Sequence, residues 1–446
     1  MLAEQRTASA VAAPQRADVE APDTSATPPE AERLTASMRP EARLLLLCAR
    51  SHIDAQTAEQ VKTLLRLDLD WEYLASKAHQ HCVTPLVYQT LDTVCRLGVP
   101  KDAFARLRSL VQDNARFNLY RTAELVRLLG LLRDAGISAV PFKGPVLSVL
   151  AYGNLALREY GDLDLLVHPR DVPRTKDLLV ENGLNLVALL KRTQTNSRFR
   201  PRNKDLVFEN ATSSVRLELH WRLTGRHFSF PLELDELWSR LEPVALAGLT
   251  VQTLGAEDLL LYLCMHGSRH GWERLSWICD IAELLRVRRD MCWERVMERA
   301  ARLGCERMLG LGLLLAKNLL GAELPKAAEQ SILRDTELPA LAGELVDSLF
   351  RNGEASRDLA YWYELHLKVR ERIQDRLRLH AYYFFRYLRL AVLPNERDHA
   401  VLELPGELSF LYFLLRPFRL LTAFGLPRPK NLSGKASAQG ISERVD

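Results

Sequence analysis

The sequence predicts an α+β protein in which a small mixed sheet is flanked on both sides by mainly helical regions. Apolar residues recur at helical spacing from Glu41 to about Leu132, as in AEQVKTLLRL and AELVRLLGLLRDAG. Short strand-like runs, ISAVPF, DLDLLV, KDLVFE and VRLELHW, then cluster between about 137 and 254. Helical spacing returns beyond Ala256, in AEDLLLYLCMHGSRHG and LSWICDIAELLRVRR, and holds to about Leu390.

Taken in order, residues 1–38 are rich in Ala, Pro, Thr, Glu and Gln and carry few large apolar groups, so they cannot offset the entropy of ordering and are expected to form a flexible tail. Residues 39–135 form a helical lead-in, closed by Gly136. Residues 136–255 form the α/β region. Its first strand, ISAVPF, runs into a helix beginning GPVLSVLAYGN, where Pro145 suits the first turn because its missing N–H has no partner there in any case. The strand DLDLLV follows, then a helix from about Arg174 to Glu181 stopped by Asn182 and Gly183, and an extended LNLVALL. KDLVFE and VRLELHW flank the turn-forming NATSS and read as a hairpin. Residues 256–392 form a second helical unit, and 393–446 a C-terminal segment with a flexible tail. No repeat of fixed period is present.

Sixty basic and 56 acidic side chains leave a net charge of +4, too balanced to indicate a nucleic-acid partner. The seven cysteines are scattered without a CxxC and sit mostly in apolar helical surroundings, which suits reduced core thiols and a cytoplasmic location. The first residues lack a secretory pattern. The most apolar stretch, Leu408 to Phe424, is interrupted by Arg416, Pro417 and Arg419, so no membrane span is expected.

Chemistry concentrates in GDLDLLV. Strand alternation puts Leu163, Leu165 and Val167 on one face and Asp162 and Asp164 together on the other. Two adjacent carboxylates repel unless a proton or cation intervenes, and hard divalent ions such as Mg²⁺ or Mn²⁺ prefer oxygen ligands. A D-x-D also occurs on ordinary solvent-facing strands. In VRLELHW, however, Glu218 and His220 share one face, so a neighbouring strand could bring a third carboxylate to the pair. Carboxylates bridging two metal ions roughly 3.5–4 Å apart support nucleotidyl transfer.

The stretch AVPFKGPVLSVLAYGNLALREYGDLDLLV, followed by LELHWRL and HGSRHGWERLSWICDIAELL, resembles the uncharacterised nucleotidyltransferase family, over about 137–290 and more loosely beyond. The resemblance implies a small sheet of the polymerase β-like nucleotidyltransferase superfamily. It implies that Asp162, Asp164 and Glu218 bind Mg²⁺ or Mn²⁺ and carry the transfer of an NMP from an NTP to an acceptor, with release of pyrophosphate. The superfamily holds the triphosphate with a Gly-Gly or Gly-Ser turn, whereas this chain has Lys143, Gly144 and Pro145, at a longer interval from the first aspartate. Gly144 still allows close backbone approach at a helix N-terminus, and Lys143 can add positive charge. The alternative for Lys143 is a surface lysine at a strand end.

Arg158 is a second phosphate candidate, with an ion pair to Glu159 or another acid as its alternative. His266 and His270, spaced i, i+4, are candidates for the nucleotide cleft or for buried structural roles; no HExxH supports zinc. His220 is a site candidate through its proximity to Glu218. Asp280, in an apolar helix, needs a partner such as Arg274 or His270. RLRLHAYYFFRYLRL mixes arginine and aromatics, a combination suited to RNA or membrane contact, but its helical spacing favours packing on the core with a basic outer face. FLYFLLRPFRLL is a candidate for peripheral membrane contact, or for packing on the helical unit. The expected partners are an NTP and an acceptor of unspecified type: small molecule, saccharide, peptide or protein. The rival activities are a D-x-D glycosyltransferase and a catalytically degenerate nucleotide-binding protein.

Overall fold

A computed structural model describes residues 38–187, 205–210, 215–225, 228, 230, 233–351, 358–393, 411–413 and 416. The expected N-terminal tail and nearly all of the C-terminal segment lie outside the described residues, and of FLYFLLRPFRLL only 411–413 and 416 are described.

Five helices lead in: α1 (Pro40–Cys48), α2 (Ala55–Leu64), α3 (Trp71–Gln80), α4 (Thr84–Cys95) and α5 (Lys101–Asp134). Asp54 and Asp70 start α2 and α3 by accepting the N–H groups of Thr57 and Tyr73, donors that a helix cannot satisfy internally. The α/β region follows as β1 (Ala139–Pro141), α6 (Gly144–Tyr152), β2 (Asp162–Val167), α7 (Val172–Glu181), β3 (Leu184–Leu186), β4 (Asp205–Asn210) and β5 (Arg216–His220). These strands form one mixed sheet in the order β1-β2-β5-β4-β3. β2 and β5 run parallel, while β1–β2, β5–β4 and β4–β3 are antiparallel. KDLVFE and VRLELHW do form a hairpin. Of LNLVALL, only Leu184–Leu186 is strand, and 188–190 lie outside the described residues.

A helix, α8 (Leu234–Ser239), and a two-stranded sheet, β6 (Glu242–Leu246) and β7 (Leu249–Thr253), were not foreseen. The two residues joining β6 to β7, Ala247 and Gly248, both have positive φ, +48° and +81°. That is the backbone of a tight hairpin loop, but alanine is not one of the residues that signals it.

Alternation splits the five-stranded sheet into two faces. Leu163, Leu165, Leu217, Leu219 and Phe208 pack on Leu125, Leu128 and Leu132 of α5 and on Val172 and Leu179 of α7. The opposite face carries Leu166 and the charged side chains of β2 and β5, and it meets the C-terminal helices through Phe142 and Tyr262. Those helices are α9 (Ala256–Arg269), α10 (Leu275–Val287), α11 (Trp293–Leu303), α12 (Glu306–Leu320), α13 (Lys326–Arg334), α14 (Leu338–Phe350), α15 (Leu359–Lys368) and α16 (Ile373–Val392). Residues of the lead-in and of the C-terminal helices share one hydrophobic core, with Leu44 and Val87 from the first and Leu260, Ile278 and Leu311 from the second. Glu283 of α10 accepts both the N–H and the hydroxyl of Ser51, so the contact is polar as well as apolar.

Two expectations are corrected here. Asp280 has the buried partner its place requires, but the residues that donate to it are Arg158 and Tyr152. The outward face of α16 is not simply basic: Leu379 and Tyr383 point inward, but Ile373, Leu377, Phe384, Phe385 and Leu388 are exposed. All seven cysteines are unpaired, four of them buried. Among the described residues, no helix is long and apolar enough to cross a membrane.

Candidate active site

Parallel pairing of β2 with β5 sets Asp164 directly beside Glu218, and Asp162 beside Arg216. Because side chains alternate, Asp162, Asp164, Glu218 and His220 all leave the sheet on the face turned to α9. Antiparallel pairing of β4 with β5 adds Asp205, opposite His220.

Asp164 is the centre of this group and is 3% exposed. Its Oδ1 lies 3.0 Å from His220 Nε2 and 3.1 Å from Lys143 Nζ. Glu218 Oε2 is 3.5 Å from the same histidine nitrogen, and Asp205 Oδ2 is 3.9 Å from Nδ1 on the other side of the ring. Phe142 packs edge-on against the imidazole, and Tyr262 packs edge-on against Phe142, which walls the cluster with aromatic carbon.

The electrostatics follow from this crowding. Burial pushes the Asp164 carboxyl up, but the Lys143 ammonium and the His220 hydrogen bond overcome it and hold the group below the usual carboxylate range. Burial opposes the charge on Lys143, and Asp164 overrides it, so the lysine stays protonated. Burial likewise raises Glu218, and hydrogen bonding to His220 brings it below its ordinary value. Asp162 goes the other way. Burial and the charge of Asp164 together raise its proton affinity. The proton affinities of neighbouring carboxylates on one strand are therefore pushed apart, Asp164 downward and Asp162 upward.

The residues suit a divalent cation. One ligand atom each from Asp164, Glu218 and His220 lie within 4.8 Å of one another. Asp164 Oδ2 is buried and has no hydrogen-bond partner, an orphaned acceptor of the kind a cation satisfies. Oxygen donors match Mg²⁺ or Mn²⁺, and an imidazole in the set suits Mn²⁺ better than Mg²⁺. Asp162 lies outside this three-atom set, on the partly exposed end of β2.

The other candidates separate. Lys143 turns inward onto Asp164. Gly144 opens α6 with φ +54°, a conformation strained for any side chain, and a Cβ there would lie 3.4 Å from the Asp162 carbonyl oxygen. Arg158 is not an available phosphate-binding cation: its Nε and Nη2 donate to Asp280 Oδ1 and Oδ2 at 2.8 and 2.9 Å, deep in the protein. Tyr152 donates to the same carboxylate at 2.8 Å. His266 and His270 pack against each other and against Trp277. Their rings lie 4.7 Å apart at the end of α9, 5.3 and 5.5 Å from the ring of Trp277. The ring of Tyr262 is 5.8 Å from Lys143 Nζ and 5.9 Å from that of His266.

Asp205 and Tyr262 were missed. Counting back along the hairpin from NATSS pairs position 205 with 220, so the first was accessible from register. Nothing in an apolar helical run marks Tyr262.

A mixed sheet with acidic side chains gathered on one strand pair, beside a glycine-opened helix, defines an α+β protein whose acidic cluster is compatible with a bound cation. The chain belongs to the uncharacterised nucleotidyltransferase family, whose profile matches residues 68–321 and so spans the sheet, the acidic cluster and the helices that cover it. Membership supports nucleotidyl transfer as the general class of activity. No curated protein matches the chain.

Proposed function

We propose that the protein moves an NMP from an NTP to an acceptor hydroxyl or phosphate, using a divalent cation held by Asp164 and Glu218 with Asp162 at the mouth of the site. The observation that carries this is the in-register pairing of Asp164 with Glu218 around an unsatisfied buried oxygen. Asp164 and Glu218 would hold such a cation, which would supply polarisation of the α-phosphate and charge for the departing pyrophosphate. The acceptor oxygen forms a bond to the α-phosphorus as the bond from that phosphorus to the bridging oxygen breaks, and the acceptor proton passes to a carboxylate. Asp162 fits that last role best, because its proton affinity is raised and it makes no hydrogen bond or ion pair among the described residues. Lys143, paired with Asp164 and next to Gly144 at the α6 N-terminus, is the cation that would neutralise phosphate charge there.

The ammonium already on Asp164 also favours a second reading, a nucleotide-binding protein that no longer turns over. Calorimetry with Mg²⁺ or Mn²⁺ and each NTP, run beside a pyrophosphate-release assay and mass spectrometry of candidate acceptors, separates the two. Metal-dependent NTP binding with release supports transfer, and binding without release supports the degenerate form. Absence of binding in every combination overturns both.

A further inference from the structure

The outward face of α16 has the make-up of a membrane-surface helix. At 100° per residue, Ile373, Leu377, Phe384, Phe385, Leu388 and Val392 fall within one arc of about 120°. They are 73, 61, 63, 64, 47 and 39% exposed, on a helix whose opposite side buries Leu379 and Tyr383. Exposed aliphatic and aromatic groups in one continuous stripe are costly in water and mark a contact surface.

The charges identify the partner. Arg378 and Arg389 border one edge of the arc and Arg376 the other; Arg378 also pairs with the helix's one acid, the buried Asp375, at 3.2 Å, and Arg376 Nε donates to the Arg370 carbonyl oxygen, so Arg389 carries most of the rim's charge. Arginines at the rim of an apolar stripe can bury their stems and keep their guanidinium groups at the level of lipid phosphates. A second copy of the chain would bring arginine rims together and be repelled. Single-stranded RNA would use aromatic faces for stacking and leave Ile373, Leu377, Leu388 and Val392 without a role. With no membrane-crossing helix among the described residues, the contact is peripheral. We infer that α16 docks this protein on an anionic lipid surface through the Ile373–Val392 stripe, with Arg376, Arg378 and Arg389 at the headgroups.

The test is cosedimentation of the full chain with vesicles of phosphatidylcholine alone and of phosphatidylcholine mixed with phosphatidylglycerol. The expected result is binding to the mixed vesicles that weakens with added salt and is at least about tenfold tighter than to the neutral ones. Phe384→Ser/Phe385→Ser should lower binding to both. Arg389→Gln should lower only the anionic preference, and all variants should keep the wild-type circular dichroism because the substituted side chains are exposed. No binding to mixed vesicles, or undiminished binding by the phenylalanine double variant, overturns the inference. So does a dimer, or retention of a homopolymer RNA, that the same substitutions abolish while vesicles are ignored.

Discussion

Replacing Asp164 by Asn tests the central cluster through stability, independently of any substrate. The carboxylate is 1% exposed at the side chain and Lys143 13%, with 3.1 Å between charged atoms. Removing one partner of a buried ion pair costs about 3–5 kcal/mol, because the surviving charge is left without compensation. Asparagine keeps a hydrogen bond to His220, and Asp162 and Glu218 remain within electrostatic reach of the lysine. The expected loss is therefore about 2–3 kcal/mol. Lys143→Met on the same background removes the orphaned ammonium and should restore most of that, since an ion pair exchanged for apolar groups is often neutral. Equilibrium urea unfolding at neutral pH measures both. A loss under about 0.5 kcal/mol for Asp164→Asn, or a double variant no more stable than the single one, refutes the assignment of Lys143 as the counter-charge of Asp164.

Asp280→Asn should destabilise the protein by about 3 kcal/mol by stranding the Arg158 guanidinium, whereas Arg158→Met/Asp280→Leu should be markedly milder; unfolding midpoints decide. Gly267→Ala should cost about 1–3 kcal/mol despite the better helix propensity of alanine, because its methyl would lie 2.4 Å from the ring of the fully buried Trp272; thermal unfolding reads the difference. His366 is buried between the Arg269 carbonyl and the Tyr383 hydroxyl, and burial lowers its pKa to about 4. A folded value below the unfolded one, about 6.5, means that stability is full above pH 6.5 and is lost as pH falls toward 4, by up to about 3 kcal/mol. His366→Asn should flatten the pH profile of urea unfolding over that window.

The α+β class and the two helical flanks were legible because periodicity is a local property. Leu163, Leu165 and Val167 alternate, α5 and α9 repeat at helical spacing, and neither pattern needs the rest of the chain to be recognised. The β6–β7 hairpin escaped because its turn uses Ala247 with positive φ, a conformation held by the surrounding structure and not announced by the residue type. The basic and aromatic composition of α16 was plain, but composition does not say which side faces the core. Phe384 and Phe385 look equally suited to either.

Sequence alone determined that Asp162 and Asp164 share a strand face, that Glu218 and His220 share another, and that Gly144 opens a helix beside them. Those are consequences of backbone geometry over a few residues. Tertiary structure decided that β2 and β5 pair in the register that puts Asp164 beside Glu218. It also decided that Lys143 folds in upon Asp164, and that Arg158 is consumed by Asp280 some 120 positions away. Which opposite charges meet depends on distances set by packing between elements remote in the chain, and a short spacing rule holds no information about them.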